Sequence, residues 1–153
     1  MADMDEWIGI REEELEHERK NGTTILSIRG LDMIGESQTI DLSDINLHPL
    51  PRFIDNPDES KHICFLRESI RDMHFTPGSH TCSPIGTIVY SPTTYINQHI
   101  RYPGLPFLLD KMIKRYERNE QMRTENMNLH YSNDILGITE EYQRVWDASR
   151  DIL

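Results

Sequence analysis

Asn56-Pro57-Asp58-Glu59-Ser60-Lys61-His62-Ile63-Cys64-Phe65-Leu66 is the stretch on which the fold of this chain turns. Asn is a favoured helix cap, Pro suits the first helical position, and two acids complement the positive end of a helix. Ile63, Leu66, Ile70 and Met73 follow at helical spacing, on one face. The pattern predicts a helix near 57–74, stopped after His74 by Pro77-Gly78.

The same stretch carries the first of two His-x-Cys triplets, His62-Ile63-Cys64; the second is His80-Thr81-Cys82. With His74 between them, they gather the soft, titratable side chains into one window. Zinc prefers four N or S ligands in a tetrahedron, and His62, Cys64, His80 and Cys82 would supply such a set. Secondary structure decides whether they can. On a helix, positions i and i+2 point about 200° apart, so His62 and Cys64 could not reach one ion; on a strand they share a face. The helix expected at 57–74 therefore counts against zinc, and buried apolar cysteines are the simpler expectation. A cysteine nucleophile, Cys82 or Cys64 with a nearby histidine, would need a lowered thiol pKa and a base within hydrogen-bond reach. Pro57-Asp58 before Glu59-Ser60-Lys61 has the letters of a metal-dependent nuclease core. That chemistry needs the Asp and the Glu-x-Lys on separate converging strands, and here they are consecutive.

Outward from this stretch, residues 3–20 read as an acidic helix ended by Asn21-Gly22. Asp3 or Asp5 would cap it, and Glu12, Glu13, Glu14, Glu16 and Glu18 cover much of its surface. Thr23–Arg29 alternates and is β-branched, so it reads as a strand, with a turn at Gly30-Leu31-Asp32 and a second strand within 33–42. His48-Pro49-Leu50-Pro51 must be extended. Ile85–Tyr90 and Thr93–Ile100 are strand candidates. Helices are expected at 105–127, with Leu105, Leu108, Leu109, Met112, Ile113 and Tyr116 inward, and at 139–152. The fold class expected is α+β: a single domain with a small, mostly antiparallel sheet packed with three to four helices. A chain of 153 residues is large enough for a core without disulfides or metal.

The net charge of -10 is unevenly placed. Residues 1–60 hold 15 acids and 5 bases, whereas the remainder holds 11 of each. The first part would repel nucleic acid and attract a basic protein surface. The helix at 105–127 has a basic side, Lys111, Lys114, Arg115 and Arg118, which could meet the acidic helix of a second copy head-to-tail and build a homo-oligomer. Tyr102-Pro103-Gly104-Leu105 is similar to the Tyr-Pro-x-Leu peptides with which enveloped-virus structural proteins recruit host budding machinery, a use that requires an exposed, extended segment.

Phosphate-cradling glycine loops and the HExxH and GxSxG motifs do not occur in the chain. No apolar run approaches the ~20 residues of a membrane span. The N-terminal Met-Ala-Asp-Met-Asp-Glu lacks the regions of a secretion signal, and two cysteines are too few for a disulfide framework. A cytoplasmic or intracellular setting is expected, that of the host cell if the source is viral. The expectation is a non-catalytic protein-binding or assembly protein without a cofactor. Its Glu12, Glu13, Glu14 and Glu16 would engage a basic partner, as acidic inhibitors, immunity proteins and viral or phage structural and accessory proteins do. The alternatives are a zinc-stabilised interaction module and a cysteine-nucleophile enzyme.

Overall fold

The computed structural model describes residues 6–35, 50–76, 79–120, 124 and 133–151. The fold is α+β, with a mixed five-stranded sheet, a two-stranded sheet and, among the described residues, three α-helices. In chain order the elements are β1 (Glu6–Ile8), α1 (Glu12–Lys20), β2 (Ile25–Ile34), β3 (Arg52–Asp55), β4 (Ile70–Asp72), β5 (Ile85–Gly86), β6 (Tyr90–Tyr102), α2 (Leu105–Arg118), α3 (Ile135–Ala148) and β7 (Arg150–Asp151). The large sheet runs β1-β6-β2-β3-β7, and β4 pairs with β5. The chain divides into two compact units, Met1–Asp32 with Asp55–His99, and Met33–Ile54 with Ile100–Leu153. Strands β2 and β6 each run on from the first unit into the second.

β2 is the central strand, and its sequence says why. Ile25, Leu26, Ile28, Leu31, Met33 and Ile34 are all buried, a near-continuous apolar run suited to a strand covered on both faces. The turn expected at Gly30-Leu31-Asp32 does not form; these residues lie inside β2. Gly30 serves a different purpose. A side chain there would begin 2.4 Å from the Glu59 carbonyl carbon and 2.5 Å from Asn56 O, so its absence lets the following segment cross the strand at backbone contact. The sheet also departs from the mostly antiparallel expectation at its centre. Thr24 N–H donates to Val89 O (2.8 Å) and Asp32 meets His99; residue numbers rise together, so β2 and β6 are parallel.

The helix expected near 57–74 is replaced by one 3-10 turn, Pro57–Glu59. The cap works as the sequence implies, with Asn56 Oδ1 accepting from Asp58 N–H (3.1 Å). The helix does not propagate, because the backbone beyond it has a better partner. Leu26 N–H donates to Cys64 O (3.0 Å), and Leu66 N–H to Thr24 O (2.8 Å). Residues 64–66 therefore lie along β2, with an antiparallel bridge between Ile25 and Phe65. Ile70 and Met73 are buried, but from β4 and the segment after it.

The N-terminal stretch is shared between a strand and a helix. Glu6–Ile8 pairs antiparallel with β6, placing Glu6 opposite His99. The helix begins only at Glu12, where Arg11 N–H donates to Glu14 Oε2 (2.8 Å). It ends as expected: Gly22 adopts φ +81°. Asp3 and Asp5 lie outside the described residues. In the other unit, Leu108 and Met112 of α2 pack with Ile138 and Val145 of α3, Ile34 and Tyr102. Helix α2 spans Leu105–Arg118; most of the remainder of the expected 105–127 helix lies outside the described residues, and α3 starts at Ile135, ahead of the expected Thr139. Residues 150 and 151 form β7 against β3, held by Arg52, which donates to Ser149 Oγ (2.6 Å) and Asp151 Oδ1 (2.9 Å).

Candidate functional site

The expected zinc ligands serve separate structural purposes. Residues 62–64 are neither helix nor strand. His62 Nδ1 lies 3.2 Å from Leu26 O, and its ring leans on Tyr90. Cys64 packs against Leu26, Ile28 and Tyr95. His80 Nδ1 lies 2.7 Å from Asp58 O, and Cys82 packs against a different cluster, Ile25, Ile70 and Met73. Among the described residues, no three His, Cys, Asp or Glu side chains form a group that could hold a metal ion. Burial pushes both thiols up, the direction opposite to the one a cysteine nucleophile uses.

The acidic helix lies beside a groove. Glu12, Glu13 and Glu16 of α1 are exposed, whereas Glu14 is engaged by Arg11. Glu18 turns inward, accepting from Thr23 Oγ1 (2.6 Å) and Tyr95 Oη (3.0 Å). Burial and the Glu18 carboxylate push the Tyr95 phenol up to about 12. Beside α1 lies a groove of about 310 Å³ with an apolar lining of Leu15, Leu26, Ile63, Cys64, Phe65 and Leu66. Its volume is at the lower end of the ~300–1,000 Å³ range of ligand sites. Two of these side chains are exposed, Leu15 at 43% and Phe65 at 38%. The groove exists because residues 63–66 run along β2 rather than coiling into a helix.

A second constellation, not foreseen from the sequence, centres on Lys61, which is 2% exposed. Its ammonium binds the buried Glu6 carboxylate of β1 and lies 2.9 Å from Glu59. Burial alone would push this lysine down; the hydrogen bonds from Glu6 and Glu59 outweigh it and hold it above the ordinary lysine value. Beside it, His99 Nδ1 lies 2.7 Å from Asp32 Oδ1 and 3.7 Å from Glu59 Oε1. Asn56 Nδ2 donates to Asp32 (2.9 Å), and Asn97 Nδ2 to Glu59 O (3.0 Å). Glu59 and Lys61 thus do meet, but around a buried ion pair; Asp58, the other letter of the nuclease pattern, is exposed. A local trace of this network is the alternation of Asn97 and His99, which puts both polar groups on one face of β6.

On α2, Lys114 pairs with Asp110 (2.8 Å), Lys111 and Arg115 are half-buried, and Arg118 is exposed. Tyr102-Pro103-Gly104 is buried, with Tyr102 Oη donating to Glu141 (2.7 Å). The exposed, extended segment that the Tyr-Pro-x-Leu likeness requires is therefore not found at these residues. Among the described residues no helix is long and apolar enough to cross a membrane. Comparison of the chain with protein-family models, curated proteins and solved structures found no match.

Proposed function

We propose that this chain is a non-catalytic protein-binding protein whose acidic α1 engages a basic surface on its partner. The observation that carries the reading is the exposed set Glu12, Glu13 and Glu16 on one short, well-capped helix. Among the described residues, Glu16 pairs with Arg19, and that contact is long at 3.9 Å and exposed. Exposed carboxylates on a helix beside an apolar groove, which Glu16 and Arg19 both border, match the apolar centre and polar edge of a protein interface. Such a rim accelerates encounter with a cationic partner and confers salt dependence.

The test is binding of a fluorescein-labelled octalysine peptide, read by anisotropy across a salt series. Changing Glu12, Glu13 and Glu16 to Gln together should weaken binding roughly tenfold at low salt and flatten the salt dependence. Circular dichroism confirms that α1 persists in the variant. Unchanged affinity and salt slope would sink the reading.

A further inference from the structure

We infer that a second cavity, beside β4, binds a small anion that carries an aromatic ring, its carboxylate or phosphate head held by Arg67 and Arg71. The site uses none of the acids of α1 and stands apart from the acidic-face reading. The cavity holds about 310 Å³, at the small end of ligand sites. Four consecutive residues, Ile70, Arg71, Asp72 and Met73, border it. In a regular strand, neighbours point to opposite faces. Here the pairing of β4 with β5 shifts register between Ile70 and Asp72, the kind of irregularity that re-aims a side chain. Arg71 thereby borders the same cavity as Ile70 and Met73. Arg67 comes from the turn before β4, closed by Leu66 O, which accepts from Ser69 N–H (3.0 Å) and Ile70 N–H (3.1 Å).

The charge of the lining selects the head. Both arginines are exposed, and among the described residues neither makes an ion pair or a side-chain hydrogen bond. The acid in the lining, Asp72, is engaged by its own turn: Oδ1 accepts from His74 N–H (2.9 Å), and Oδ2 lies 3.7 Å from His74 Nε2. Glu68 is exposed and falls between the arginines in sequence, but it does not border the cavity. Two bases against one acid leave this lining cationic, on a chain whose net charge is -10. A guanidinium presents a fork of N–H donors that matches the oxygens of a carboxylate or phosphate.

The remaining lining selects the body. Phe65 and Phe75 border the cavity with ring centroids 6.4 Å apart and planes tilted by 55°. Aromatic rings favour edge-to-face and offset contacts at about 4.5–7 Å, and the Met73 thioether favours a ring edge. Ile70 and Met73 are buried together with Ile25, and Phe75 packs against them, so the floor is formed before a ligand arrives. An inorganic anion would satisfy the arginines and leave this floor wet. A neutral arene would fill the floor and leave the arginines without a counter-charge. A ring joined to an anionic head satisfies both.

The experiment titrates phenyl phosphate, methyl phosphate and benzyl alcohol separately into the isotope-labelled full chain, followed by NMR. Phenyl phosphate should bind about tenfold more tightly than methyl phosphate, which keeps the head and lacks the ring. It should exceed benzyl alcohol, which keeps the ring and lacks the charge, by a similar factor. The amides of Arg67, Arg71, Met73 and Phe75 should shift. Phenylacetate against acetate repeats the comparison for a carboxylate head. A ring preference in either pair supports the inference, and the tighter aryl anion names the head. The variant Arg67→Gln with Arg71→Gln, both at exposed positions, should keep its circular dichroism spectrum and bind that anion about tenfold more weakly.

No ring preference in either pair would overturn the inference, as would benzyl alcohol binding as tightly as the aryl anions. Shifts confined to other segments, or unchanged affinity in the double Gln variant, would also overturn it. So would the absence of binding by both aryl anions.

Discussion

Replacing Lys61 by Met tests the centre of the first unit. Lys61 Nζ touches the Glu6 carboxylate and lies 2.9 Å from Glu59, and the lysine is 2% exposed. Methionine fills much of the same volume but removes the Lys61 ammonium from these two carboxylates. Deleting one partner of a buried ion pair costs about 3–5 kcal/mol, because the remaining charge keeps its desolvation penalty. A domain typically has ~5–15 kcal/mol of stability, so Lys61→Met removes a large share. At roughly 2–4 °C per kcal/mol for a chain of this size, the melting temperature should fall by about 6–20 °C. The pH dependence has a definite sign. The lysine is raised in the folded state, so its contribution is fully present below the ordinary lysine value of ~10.4 and fades only as pH climbs through the higher folded value. The unmodified protein should therefore gain the same benefit from this pair at pH 7 as at pH 9. Adding Glu6→Gln should recover part of the loss, since one buried charge disappears. Urea denaturation followed by circular dichroism at several pH values measures all of this. A Lys61→Met variant within ~1 kcal/mol of the parent at pH 7 would refute the reasoning.

Gly30→Ala and Gly22→Ala should separate two kinds of glycine. At Gly30 the new carbon meets backbone at 2.4 Å, so the cost should reach the upper end of ~1–3 kcal/mol for overpacking or exceed it. At Gly22 the space is open and only φ +81° is strained, for about 1–2 kcal/mol; equal urea midpoints would contradict this. Tyr95, pushed up to about 12 by burial and Glu18, should be among the last tyrosines to ionise in an ultraviolet pH titration. Glu18→Gln should bring its transition down, and an unmoved curve would show that the carboxylate is not responsible. Both thiols are pushed up by burial, so alkylation at neutral pH should be slow at Cys64 and Cys82 alike; fast, selective labelling of either would contradict the packing described.

Sequence reasoning succeeded where a local rule and the tertiary environment agree. The β-branched run after Thr23 is β2, Asn21-Gly22 stops α1, and the apolar periodicity from Leu105 to Tyr116 lies in α2. It failed where they compete. Asn56 caps Asp58 as its type predicts, yet the ladder offered by Thr24 and Leu26 draws residues 64–66 into an extended path. Gly30 looks like a turn residue, but its missing side chain makes room for a crossing segment. The exposed Glu12, Glu13 and Glu16 were legible from charge alone. The groove floor was not, since it depends on residues 63–66 being extended. The Lys61 network draws on four separate stretches of chain, Glu6, Asp32, Glu59 with Lys61, and Asn97 with His99, so no single motif carries it.

The parallel pairing of β2 with β6 bears on how the chain is made. Thr24 and Val89 are 65 residues apart, so at ~5–20 residues per second β2 leaves the ribosome roughly 3–13 s before its central neighbour exists. Closing a loop of that length costs about 4 kcal/mol of chain entropy before any contact compensates it. Throughout that interval Ile25, Leu26, Ile28, Leu31, Met33 and Ile34 lack the strand that covers them. Docking of β6 is then a natural slow step of folding, and the apolar run that forms the middle of the sheet is also the segment of the nascent chain most open to chaperones and to association with other copies.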